Sequence, residues 1–156
     1  MRSLPCRIVA AFAAVWLASA TAFAGPASEA ASVGFEALPA SEFGPPEGAP
    51  AFQLEAASVR LETSFYRGEF FGREKLMVSA QLFNEADGAR HVSMHVAVFD
   101  AAGELIGASS QSSFGDDGIP AGEQTQLASL MITLPPAQLD RVRRVSAVLY
   151  ASADPI

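Results

Sequence analysis

Cysteine is almost missing from this chain. Cys6 is the only one in 156 residues, and it sits in a segment expected to be removed. The remainder can form no disulfide, and thiolate chemistry and cysteine metal sites are excluded from it. Basic residues are also few: ten Lys and Arg stand against 17 Asp and Glu, for a net charge of −7. Phosphate backbones and anionic lipid surfaces repel such a chain, which argues against nucleic-acid and peripheral membrane binding. No apolar run reaches the ~20 residues that span a bilayer. Beyond the first two dozen residues no long helical period appears, which disfavours α/β folds. No nucleophile-elbow sequence and no internal repeat is present.

What is present begins with an address. Arg2 and Arg7 precede an apolar run, Ile8 to Ala18, and small residues lead to Ala22-Phe23-Ala24 before Gly25. A charged start, an apolar stretch and an A-x-A site predict a cleaved secretory signal over residues 1–24. Export to the periplasm or outside the cell follows, with no stable membrane anchor after cleavage. Removing those residues takes away two Arg and no acid, leaving eight basic against 17 acidic side chains, or −9. Cys6 precedes the apolar run and is not placed for lipid attachment.

Residues 25–50 read as a disordered linker. They hold five of the ten prolines, with Gly, Ala, Ser and Glu filling most of the rest. That mixture buries too little to offset ordering entropy. Val33, Phe35, Leu38 and Phe43 are isolated apolar points within it.

From residue 51 to 156 the pattern has period two. Val59 to Glu62 alternates. Leu76, Val78, Ala80 and Leu82 share one face, as do Val92, Met94, Val96 and Val98. His91, Ser93, His95, Ala97 and Phe99 take the face opposite that second row. Further alternating runs cover Leu105 to Gln111, Gln126 to Leu134, and Arg143 to Ser152 with Val145, Ala147, Leu149 and Ala151. Alternation gives each strand one core face. Asp87-Gly88, Asp100 to Gly103, and Pro120 to Glu123 supply turns. Pro135-Pro136 stops a strand, and residues 137–141 suit one helical turn. Six or seven short strands at this spacing predict an all-β fold, an antiparallel β-sandwich. A small β-barrel is the competing architecture.

Leu82-Phe83-Asn84, the Asp87-Gly88 turn, Val96 to Gly103, and Ile119 to Glu123 leading to Leu134-Pro135 resemble extracytoplasmic immunoglobulin-like modules, including FxLYD-type domains. The resemblance covers about residues 75–150. It implies an immunoglobulin-like sandwich with a binding or scaffolding role and no active site. Ala121 stands between the proline and glycine of the expected turn.

Candidate chemistry is thin. On one strand His91 and His95 share a face but lie ~13 Å apart at 3.3 Å per residue. One copper or zinc ion does not bridge that span, and Met94 points the other way. Ser93, Asp100 and the histidines supply the residue types of a hydrolase triad, but Asp100 falls on the face opposite His95. Asp116-Asp117 fits no calcium-loop spacing. Arg141, Arg143 and Arg144 form the one basic cluster, suited to an acidic partner or to local ion pairs.

The densest segment runs from Phe65 to Arg73, where Phe65, Tyr66, Arg67, Phe70 and Phe71 crowd around Gly68 and Gly72. Aromatics and Arg are the types enriched at binding hot spots. Either several rings project to form an adhesive patch, or Phe65 and Phe71 fill the core and only Tyr66 is exposed. The combined expectation is a non-catalytic exported module, without a cofactor, that binds a protein partner. Periplasmic metal or small-ligand binding through His91, His95 and Met94 is the alternative, and a hydrolase the third.

Overall fold

A computed structural model describes residues 26–112 and 117–155. Eight strands and one helical turn follow in chain order: β1 (Ala27–Gly34), β2 (Ala51–Ala56), β3 (Val59–Phe70), β4 (Arg73–Asn84), β5 (His91–Phe99), β6 (Leu105–Ser112), β7 (Gln124–Ile132), α1 (Pro136–Leu139) and β8 (Arg144–Ser152). The fold is all-β. Two antiparallel four-stranded sheets have the orders β1-β8-β5-β6 and β2-β3-β4-β7. A single bridge from Ala40 to Arg67 extends the edge of the second sheet beyond β2.

Both sheets contribute to one core. The alternating rows of the sequence are its layers: Val59, Leu61 and Phe65 from β3, Leu76 to Leu82 from β4, Val92 to Val98 from β5, and Val145 to Ala151 from β8. Three or four apolar side chains per strand, all on one face, leave each sheet one place to put them. Loops close the ends with Leu38, Ile119, Leu139 and Val142.

The expected linker is corrected by the structure. Within residues 25–50, β1 pairs with β8 over eight consecutive residues, from Ala27 opposite Ala151 to Gly34 opposite Arg144. The strand count is therefore eight rather than six or seven. Ala and Ser carry little hydrophobic signal, but β8 offers an unpaired edge, and Ala27 and Ala31 are small enough to pack on the core beside it. Ser32 Oγ donates to the Val145 carbonyl at 3.2 Å. The Glu29 carboxylate accepts from the Glu55 backbone N–H, tying β1 to the edge of β2 in the other sheet. Leu38 is buried, and Phe35 packs against the core. The expected signal, residues 1–24, lies outside the described residues.

Two turns are held by single side chains. Asn84, buried at the end of β4, donates from Nδ2 to the carbonyls of Gly88, Ile119 and Pro120 at 2.9, 2.8 and 3.0 Å. Its Oδ1 accepts from Ala86 N–H. Asp100 accepts from the N–H groups of Ala102 and Glu104 and from Arg141 Nη2 at 2.5 Å.

Candidate functional site

The aromatic segment folds as the end of a long hairpin. β3 and β4 pair from Val59 opposite Asn84 to Phe70 opposite Arg73, with Phe71-Gly72 as the two-residue turn. Both turn residues have positive φ, 52° at Phe71 and 69° at Gly72. Two such residues match the right-handed twist of the strands, and Asn-Gly is the usual choice. Gly72 adopts this backbone freely, whereas Phe71 does so against the clash of its Cβ.

This end outruns its neighbours. β2 pairs with β3 only as far as Ser64, and β7 with β4 only from Leu76. Phe71 stands 89% exposed at the tip. Its ring meets the Phe70 ring edge-on at 4.4 Å between centroids, and Lys75 Nζ lies 5.0 Å from the Phe70 centroid.

Of the five side chains picked from the sequence, the hairpin leaves Phe71 exposed and Phe70 half-buried beside it. Phe65 is fully buried and packs on Phe52 at 5.3 Å. Tyr66 is only 9% exposed, so the expectation of Tyr66 outside and Phe71 inside is reversed. Tyr66 and Met77 close over Gly68, where a Cβ would come within 2.6 Å of Met77 Cγ. Arg67 is paired with Asp140 at 2.6 Å. Period two places residues on a face, but Tyr66 lies on the outer face of its sheet and is still covered.

A second exposed ring lies at the same end. Ala40 bridges Arg67 in parallel, so the chain from Ala40 runs the way β3 runs toward its tip. Phe43 follows and is 95% exposed. The sequence shows Phe43 as an isolated apolar point; the bridge that aims it has no sequence signature.

The other candidates separate. His91 and His95 stand on one regular strand, β5. His91 is buried rather than on a solvated face, and His95 is exposed, edge-on to Tyr150 at 5.5 Å. No group of three or more His, Cys, Asp or Glu side chains among the described residues is gathered to hold a metal ion. Ser93 Oγ lies 3.0 Å from His95 Nε2, a nucleophile and base within reach of each other. β5 is flanked by β6 and β8, so ladders on both sides engage its backbone. Asp100 is not with them; it holds its own turn. There the Glu104 N–H, then Arg141 and the Ala102 N–H, outweigh burial and keep its carboxyl below the ordinary value. The basic cluster is engaged locally. Arg141 pairs with Asp100 and Glu104, Arg143 donates to the Asp140 and Val142 carbonyls, and Arg144 lies over Phe99.

With these features the chain is an all-β protein of two antiparallel sheets, with an aromatic-tipped hairpin projecting from one of them. It matches no protein-family model, and no curated protein is detectably similar to it.

Proposed function

We propose that this is a non-catalytic exported module of the immunoglobulin-like sandwich type, and that it binds another protein through the β3–β4 hairpin end. The observation that carries the proposal is Phe71, an exposed aromatic held at positive φ where asparagine would sit more easily. Strained backbone clusters at active sites, ligand clamps and switch regions. Phe70 beside it and Phe43 nearby enlarge the apolar surface, and aromatic side chains dominate interface energies. The two sheets around one core support the sandwich, and the sequence of residues 1–24 supports export.

A photo-crosslinking phenylalanine analogue at position 71, introduced in the producing cell, tests this. One discrete protein adduct is expected, reduced roughly tenfold by Phe70→Ser. The same analogue at Gln81, on the outer face of the sheet, is expected to give none. No adduct from position 71, or the same adducts from both positions, overturns the proposal.

A further inference from the structure

One face of the molecule carries no acid. In the sheet β1-β8-β5-β6 one set of alternate residues faces the core, and the other set points outward. The outward set runs from Ser28 to Gly34 in β1, Arg144 to Ser152 in β8, His91 to Phe99 in β5 and Ala108 to Ser112 in β6. None of these residues is Asp or Glu, although the chain holds 17. Arg144 is the only fixed charge among them. Its guanidinium lies over the Phe99 ring at 4.5 Å, and among the described residues no carboxylate pairs with it. A guanidinium seated on a ring keeps its forked donors for a planar carboxylate.

Beside Arg144 the same face dips into a trough. Ala97 stands opposite Ser146 on one side and Ala108 on the other, and Ser146 stands opposite Ser32. Taller rows flank these small side chains, Arg144 and Phe99 on one side, Val148 and His95 on the other. The cleft between them is about 330 Å³, lined by His95, Ala97, Ala108, Ser110, Ser146 and Val148. Cavities of ~150 Å³ accept a benzene ring, so a substituted six-membered ring has room here. Ser146 Oγ donates to Ser32 Oγ at 2.9 Å, and Ser32 Oγ donates in turn to the Val145 carbonyl. Ser146 is thereby left as an acceptor for a ligand hydroxyl. The edge-on rings of His95 and Tyr150 continue the surface past the cleft.

We infer that this face is a second binding surface, separate from the hairpin end, and that it takes a short oligosaccharide bearing a uronic acid. The sugar ring lies over Ala97 and Ala108, its hydroxyls meet Ser110 and Ser146, and its carboxylate reaches Arg144, about 7 Å along β8 from Ser146. Charge selects the ligand. An acid-free face with one unpaired arginine complements a single carboxylate, whereas the net charge of −7 repels a polyanion. A peptide suits the face less well. The backbones of β5 and β8 are paired on both sides, so neither offers ladder groups to an added strand, and no outward residue is Asn or Gln.

The test is an NMR titration of the full chain with cellobiouronic acid and with cellobiose, which has a hydroxymethyl group in place of the carboxylate. Amide shifts are expected at Ala97, Ala108, Ser110 and residues 144–148 with the acid. Cellobiose is expected to bind roughly tenfold more weakly, and the Arg144→Gln variant to bind the two alike. Arg144 is exposed, so the variant keeps its fold. No shifts on this face, equal affinity of the parent for both sugars, or an unchanged preference in Arg144→Gln overturns the inference. Acetyl-Ala-Asp-Ala-amide binding more tightly than the acid sugar at the same residues also overturns it, and assigns the face to an acidic peptide.

Discussion

Asp100 shows how one side chain organises a turn and how that role is measured. Its carboxylate accepts from two backbone N–H groups and from Arg141, and its pKa is held below the ordinary 3.8. A carboxyl with a lowered folded pKa takes up its proton less readily folded than unfolded. Its contribution is therefore complete above the unfolded value and fades as pH falls through the folded one. Urea unfolding at pH 6 is expected to find Asp100→Asn less stable than the parent. As pH falls below the unfolded value and through the lowered folded one the gap narrows, because the parent loses charge there and the variant has none to lose. A gap that stays constant with pH contradicts the assignment. Asp100 and Asn84 were both visible in the sequence as ends of strands, but only as turn formers. That Asn84 reaches across 36 residues to Pro120 is a fact of packing that no local spacing announces. The same limit explains Tyr66: alternation assigned its face correctly as not the core, and tertiary cover buried it anyway.

At the scale of the element, the β3–β4 hairpin pits local preference against surface chemistry. A non-glycine residue with left-handed backbone costs ~1–2 kcal/mol, and Asn pays least among the alternatives. Phe71→Asn creates the Asn-Gly turn that such hairpins favour. The variant is expected to unfold at higher urea concentration, corresponding to a gain of about 1 kcal/mol, while giving up its adduct with the partner. A variant that is less stable than the parent shows that Phe71 does more for the fold than its exposure implies. Most strands were legible, because β3, β4, β5 and β8 each carry a row of apolar side chains on one face. Gly68 lies inside β3 and serves the packing of Met77 and Tyr66, whereas Gly72 reverses the chain.

For the molecule as a whole, the informative departure is β1. Its residues, ASEAASVG, contain one large aliphatic side chain, so neither hydrophobicity nor period distinguishes them from a linker. What makes them a strand is the open side of β8, and a partner remote in sequence is invisible to local reading. Hydrogen exchange measures the consequence. The amides of β1 that point at β8 are expected to be protected together with those of β8, whereas a linker exchanges at the rate of an unfolded chain. Fast exchange throughout residues 27–34 would show that the pairing is absent in solution.

The pairing of β1 with β8 also governs when the fold is able to close. Ala27 meets Ala151, so the earliest strand has no neighbour in its own sheet until the latest one has been made. Contacts this distant along the chain slow folding, placing such sheets on the scale of milliseconds to seconds. A polypeptide emerging from the ribosome therefore carries β1 unpaired until β8 has been made.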